Sequence, residues 1–98
     1  MKVKINQILV SEDGKTPLVE KNKPLSLKQV CIASVLNPVK EDDFNKKIEK
    51  YNIWKRLLAS NDNVDLSSEE ITILKQSIDK CFAQIVLGQA VEMLEQKI

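Results

Sequence analysis

The apolar positions along the chain fall into four blocks, and each block has its own period. In the first, Val3 and Ile5 alternate with lysines, and QILVSEDGKTPLVE follows with Asp13-Gly14 near its centre. Asp-Gly is a preferred central pair for a two-residue hairpin turn, because both positions need positive φ. That register sets Glu12 opposite Lys15, Ser11 opposite Thr16 and Val10 opposite Pro17, and it predicts a β-hairpin over residues 3–20. Pro17 has no N–H to donate, so the second strand must be short or at an edge. A single hairpin is marginal in water, and the rest of the chain has to support it.

The next two blocks open with the same grammar, LSLKQV at 25–30 and LSSEEI at 66–71. In each, a serine stands three residues before Gln29 or Glu70, the spacing of a capping box. Leu25 with Val30 and Leu66 with Ile71 then occupy the two positions of a hydrophobic staple. Helices are expected over 26–37 and 67–82. The first is apolar nearly all round, which marks a central helix covered on most sides, and Asn37-Pro38 ends it. Between them a helix over 42–59 is favoured by Asp42 and Asp43 at its start and by Lys55 and Arg56 near its end. Phe44, Ile48, Tyr51, Trp54 and Leu58 form one stripe, which predicts its core face. Ile53 and Leu57 fall on a different side, in line with Lys46 and Lys50, either as edge-of-core residues or as part of a contact surface. SNDNVD at 60–65 reads as a polar loop.

From Ser68 onward only Gly88 interrupts helical composition. Placed at 100° per residue, the apolar face swings by roughly 170° between the Ile71–Ile85 set and the Leu87–Ile98 set. One straight helix cannot turn both faces into one small core. Either the chain breaks near Phe82–Gln84 and a separate helix over 84–96 folds back, or one long helix packs its far half on another molecule. The break is the preferred solution, because mean helices run to only about 11–12 residues. Gly88 costs up to about 1 kcal/mol against alanine in a helix interior. Close approach of another backbone, within the chain or from a partner, would account for it. The expected architecture is therefore mainly α with a short N-terminal β-hairpin, a small α+β domain of three to four helices.

Composition narrows the function more than it identifies it. With 98 residues, 43% hydrophobic and 30% charged, the chain is one globular domain with a thin core. No apolar run reaches the ~20 residues needed to span a bilayer, and the N-terminus lacks the pattern of a signal peptide. Cys31 and Cys81 sit in apolar surroundings; a disulfide is compatible with the sequence, but two buried free thiols and a reducing cytoplasm are expected. The first forty residues are net basic and the last thirty-odd net acidic, too weak an asymmetry for a nucleic-acid footprint. There is no histidine, and Gly14 and Gly88 are the only glycines. The commonest general base and any phosphate-cradling glycine loop are thus missing. The acids of 60–65 lack the glycine and the later glutamate of a calcium loop. Asp42-Asp43 and Glu69-Glu70 stand in first helical turns, where capping and the helix dipole explain them. No catalytic residue, cofactor or metal is expected, and the chain reads as a non-enzyme.

The order DGK (13–15), LSLKQV (25–30), a lysine-rich second helix, LSSEEITILK (66–75) and VLGQAVEMLE (86–95) resembles a loose group of small phage-encoded helical proteins of unassigned role. The resemblance spans roughly residues 8–95, rests on capping and packing residues, and transfers no catalytic residue. It implies a phage or mobile-element protein acting in the cytoplasm of a bacterial host. The leading expectation is a protein–protein interaction module, with a homodimer as one form. The contact candidates are Ile53, Leu57, Leu87, Gly88, Val91 and Leu94. A counter-defence inhibitor of the anti-CRISPR kind, blocking a host protein, is the alternative. A nucleic-acid regulator using Lys46, Lys47 and Lys50 ranks last, because Asp42, Asp43 and Glu49 interleave with the lysines.

Overall fold

In the computed structural model, which describes residues 2–20 and 22–95, two serines start two of the four helices as their spacing predicts. The elements in chain order are β1 (Lys2–Lys4), β2 (Val19–Glu20), β3 (Lys23–Pro24), α1 (Leu27–Leu36), α2 (Phe44–Ala59), β4 (Asn63–Asp65), α3 (Ser68–Cys81) and α4 (Gln84–Glu95). The fold is a small α+β domain, mainly helical. Ser26 Oγ accepts from the Gln29 N–H at 3.3 Å while the Gln29 side chain accepts from the Ser26 N–H at 3.1 Å. Ser67 and Glu70 make the same reciprocal pair at 3.1 and 2.9 Å. Leu25, Val30, Leu66 and Ile71 are all buried, so each box is accompanied by its apolar pair. Asp43 caps α2, accepting from the Lys46 N–H at 2.8 Å.

Helix α1 lies at the centre and packs against both α2 and α3, with lighter contact to α4. Leu27, Val30, Cys31 and Val35 bury its apolar surface, and Ser34 buries its hydroxyl by donating to the Val30 carbonyl at 2.7 Å. Ser77 on α3 does the same to Ile73 at 2.8 Å. Burial pushes the Cys31 thiol up to about 12, and both cysteines are free.

The C-terminal run is two helices. Phe82 adopts an extended conformation, its N–H donating to the Ile78 carbonyl at 2.9 Å, and α4 begins two residues later. This break resets the helical phase, so Ile71, Leu74 and Ile78 of α3 and Val86, Ala90 and Leu94 of α4 all enter one core. No proline or glycine makes the turn. The phase conflict is relieved across the two-residue link Phe82–Ala83, and the half-buried Phe82 ring packs on the core.

The strands differ from expectation in their partners. Val3 does not lie opposite the 15–20 segment; β1 pairs antiparallel with β4, Val3 facing Val64 with both side chains buried. The 60–65 segment is thus half loop and half strand. The chain at 8–11 meets two later segments in turn instead, Ile8 bridging to Ser26 and Val10 to Pro17. Leu9 N–H donates to the Leu25 carbonyl and Leu18 N–H to the Leu9 carbonyl, each at 2.9 Å. Val10 does face Pro17, and Ser11 N–H donates to Thr16 at 2.8 Å. A second tight turn, with Asn22 at φ 65°, joins β2 to β3.

The turn itself is not the expected two-residue form. Gly14 has φ 72°, but Asp13 does not share the positive φ, and Gly14 N–H donates back to the Ser11 carbonyl at 2.9 Å. The Asp13 carboxylate organises the loop by accepting from the Thr16 hydroxyl at 2.6 Å and from the Thr16 and Lys15 N–H groups at 2.8 Å each. Local side-chain acceptors compete with the backbone ladder in this way, and here they set the loop at four residues. The Thr16 hydroxyl, then the Thr16 and Lys15 N–H groups, hold the Asp13 carboxyl far below the usual carboxylate range. Because its folded pKa is depressed, its contribution to stability is present above the unfolded value near ~3.9 and is lost as pH falls through the folded value. Carboxyl-detected NMR should find Asp13 still ionised when exposed aspartates are half protonated. A midpoint near the ordinary value would contradict this loop.

Candidate protein-contact surface

Helix α2 carries more apolar side chains than its buried side can take. Measured from Phe44 at 100° per residue, Phe44, Ile48, Tyr51, Lys55 and Leu58 fall on one side and Lys46, Lys50, Ile53 and Leu57 on the other. The structure turns the second set inward. Ile53 and Leu57 are 1% and 0% exposed, whereas Phe44 is 76%, Tyr51 51%, Leu58 56% and Ile48 44% exposed. This reverses the core face predicted from the sequence for all of the stripe except Trp54, which is half-buried against the core.

The physical reason lies in how the lysines behave. Lys50 lays its aliphatic stem against the core side of α2 and directs its ammonium to the Asp42 carboxylate. A long charged side chain can cover apolar surface this way provided its head is paired. Lys46 is half-buried on the same side. At the other end Arg56 donates to the Asp65 carbonyl at 3.1 Å and to Glu70 Oε1 at 2.7 Å, pinning α2 to β4 and α3. Burial pushes the Glu70 carboxyl up, but the Ser67 N–H and the Arg56 guanidinium outweigh it and hold the group below its ordinary value.

The outward side is ordered by its own contacts. The Tyr51 and Trp54 rings lie 5.5 Å apart, tilted by 36°, and the Lys55 ammonium sits 5.6 Å from the Tyr51 ring centre. Beside Tyr51 a groove of about 560 Å³ runs between the end of α1 and α2, lined by Val35, Leu36, Pro38, Val39, Lys40 and Lys47 among others. Leu36 is also exposed, so the stripe continues across the groove onto α1. Among the described residues, Lys40, Lys47 and Lys55 have no carboxylate partner.

The contact candidates read from the sequence are placed otherwise. Ile53, Leu57 and Leu94 are interior and hold the fold, so they cannot meet a partner. Leu87 is half-buried against the core, Val91 is half-buried and Gly88 is exposed. Among the described residues, nothing beyond its own stretch of helix would come within 4 Å of a Cβ added at Gly88, so no tight crossing with another described element accounts for it. Of Lys46, Lys47 and Lys50, only Lys47 stands free on the outward side, so the three do not form one basic patch. Helix α4 contributes a structural contact that the sequence did not suggest. The Gln89 amide accepts from the Val10 N–H and donates to the Val10 carbonyl, each at 2.8 Å, completing the open edge of the 8–11 segment. Replacing it by leucine strands two partly buried backbone groups, so Gln89→Leu should cost about 1–3 kcal/mol in urea unfolding. A change under ~0.3 kcal/mol would show that water satisfies that edge.

Among the described residues, no three carboxylate or thiol groups converge as metal ligands would, and no helix is long and apolar enough to cross a membrane. Comparison with protein-family models, with curated proteins and with solved structures yields no match.

Proposed function

We propose that this chain is a non-enzymatic protein–protein interaction module whose contact surface is the outward face of α2, continued by Leu36 at the end of α1. One observation carries the reading. The helix directs its larger apolar stripe, Phe44, Ile48, Tyr51 and Leu58, to solvent while the smaller Ile53–Leu57 pair is interior. Contiguous apolar patches on a small domain mark contact surfaces, whereas single exposed apolar residues do not. Tyrosine and tryptophan together at such a patch have the composition of contact hot spots. A partner protein covering this face would remove apolar surface that the chain cannot bury alone.

The resemblance to small phage-encoded proteins supports a bacterial cell as the setting in which the partner is sought. A photo-crosslinking residue placed at Ile48 tests the reading in expressing cells. One partner should be captured there, lost when Phe44→Asp and Tyr51→Asp are combined, and retained by an α4 surface control, Glu92→Lys. Equal capture by all three chains would overturn the assignment of this face.

A further inference from the structure

The outward stripe of α2 has a spacing that identifies its partner more closely. Phe44, Ile48, Tyr51, Lys55 and Leu58 follow one another at intervals of four, three, four and three. That is the alternation of the two seam positions in a heptad, which a helix presents to another helix packed alongside it. The stripe lies in a sixteen-residue helix, and such a helix is roughly 24 Å long at 1.5 Å per residue. It therefore offers two heptads of exposed seam.

The charges decide what can lie on it. Lys55 occupies a seam position in the C-terminal half of the stripe, between Tyr51 and Leu58, and Lys47 stands at a flanking position. The other flanking positions are Asn45, Asn52, Trp54 and Ala59, none of them acidic. The carboxylates closest in sequence are committed or averted: Asp42 pairs with Lys50, Asp43 caps the helix, and Glu49 lies toward the opposite side. A second copy seated on this face would gather four lysines and no carboxylate at the seam and its flanks, the Asp42 carboxylate beside the groove being held by Lys50, and like charges there oppose pairing. A lysine within the apolar stripe, between Tyr51 and Leu58, also opposes insertion into a bilayer. A phosphate backbone would leave Phe44, Ile48 and Leu58 uncovered.

Resting on the interaction reading above, we infer that the occupant is an amphipathic helix of a partner protein with acidic residues flanking its apolar seam, placed to meet Lys47 and Lys55. The apolar seam supplies affinity and the two lysines set partner choice.

Two synthetic helical peptides of three heptads serve as probes, both with leucine at the seam and neither containing tryptophan. One carries glutamate at its flanking positions and the other lysine. Trp54, the only tryptophan, is half-buried at the edge of the seam and reports binding by its fluorescence. The acidic peptide should bind at least about tenfold more tightly than the basic one, since two partly exposed charge pairs together amount to about a factor of ten. Its affinity should fall with added salt, and Lys47→Glu combined with Lys55→Glu should reverse the preference. Equal binding of both peptides, or of neither, would overturn the inference, as would self-association of the chain through this face or binding to anionic vesicles in place of the peptide. If the Ile48 crosslink captures a partner while the acidic peptide fails, the contact surface stands and the acidic helix falls. If both fail, the contact surface falls with it.

Discussion

Asp42→Ala should destabilise this domain by about 3–5 kcal/mol, the effect of leaving a buried charge without its partner. Lys50 is buried on the inner side of α2, its ammonium held by Asp42 at the start of the helix. Among the described residues Asp42 supplies the one carboxylate within ion-pair reach of that ammonium, so its removal leaves the charge unpaired. For a domain of ordinary stability, about 5–15 kcal/mol in total, the loss is a large share of the whole. Lys50→Met should behave differently, because it removes the charge and keeps the stem that packs on the core. In the Asp42→Ala background, Lys50→Met should recover most of the loss, since replacing a buried pair by apolar groups is often close to neutral. Urea unfolding of the two single variants and the double variant measures this cycle. A cost for Asp42→Ala below ~1 kcal/mol, the range of a surface pair, would place Lys50 in water.

The second large effect concerns which side of α2 is interior. Leu57→Ala should cost about 2–5 kcal/mol, because a fully buried leucine loses its transfer energy and leaves a cavity against α1. Phe44→Ala removes a bulkier side chain but should change stability by no more than ~0.5 kcal/mol, since most of that ring is in water. The ordering is the reverse of what side-chain size alone predicts. Thermal or urea unfolding of the two variants side by side reads it directly, and a costlier Phe44→Ala would mean that the helix is turned the other way.

Local grammar made much of this fold readable. The two capping boxes need only four residues each, and they locate the starts of α1 and α3 because their hydrogen bonds are made within one turn. The break at Phe82 was readable from phase counting, since two apolar faces on opposite sides of one helix cannot share a small core. The pairing of β1 with β4 was not, because it joins residues some sixty positions apart. The available hint, Val64 and Leu66 alternating with polar neighbours, is too short to stand out from a loop. Asp13 misled for a related reason. Asp-Gly promises a tight turn, but the same aspartate can gather N–H groups with its carboxylate and lengthen the loop.

The contact surface was legible in its residues and inverted in its orientation. The sequence displays two apolar sides on α2, and the larger one was read as core. Burial is decided by what the neighbouring elements can cover, and on the side of α2 that packs into the fold Ile53, Leu57 and Lys50 are buried. The heptad alternation with lysines and no acids on one side was visible in the sequence. It gains meaning only once that side is known to face solvent.

Tyr51 is the only tyrosine in the chain and stands at the centre of the outward stripe. Nitration of the native protein, followed by mass spectrometry at a concentration where the chain sediments as a monomer, asks whether that stripe is open. An outward stripe predicts modification of native Tyr51 at a rate within about threefold of the urea-unfolded chain, as its half-exposed ring requires. Protection by a hundredfold or so in the monomer, the behaviour of a core ring that reacts only on unfolding, would contradict it.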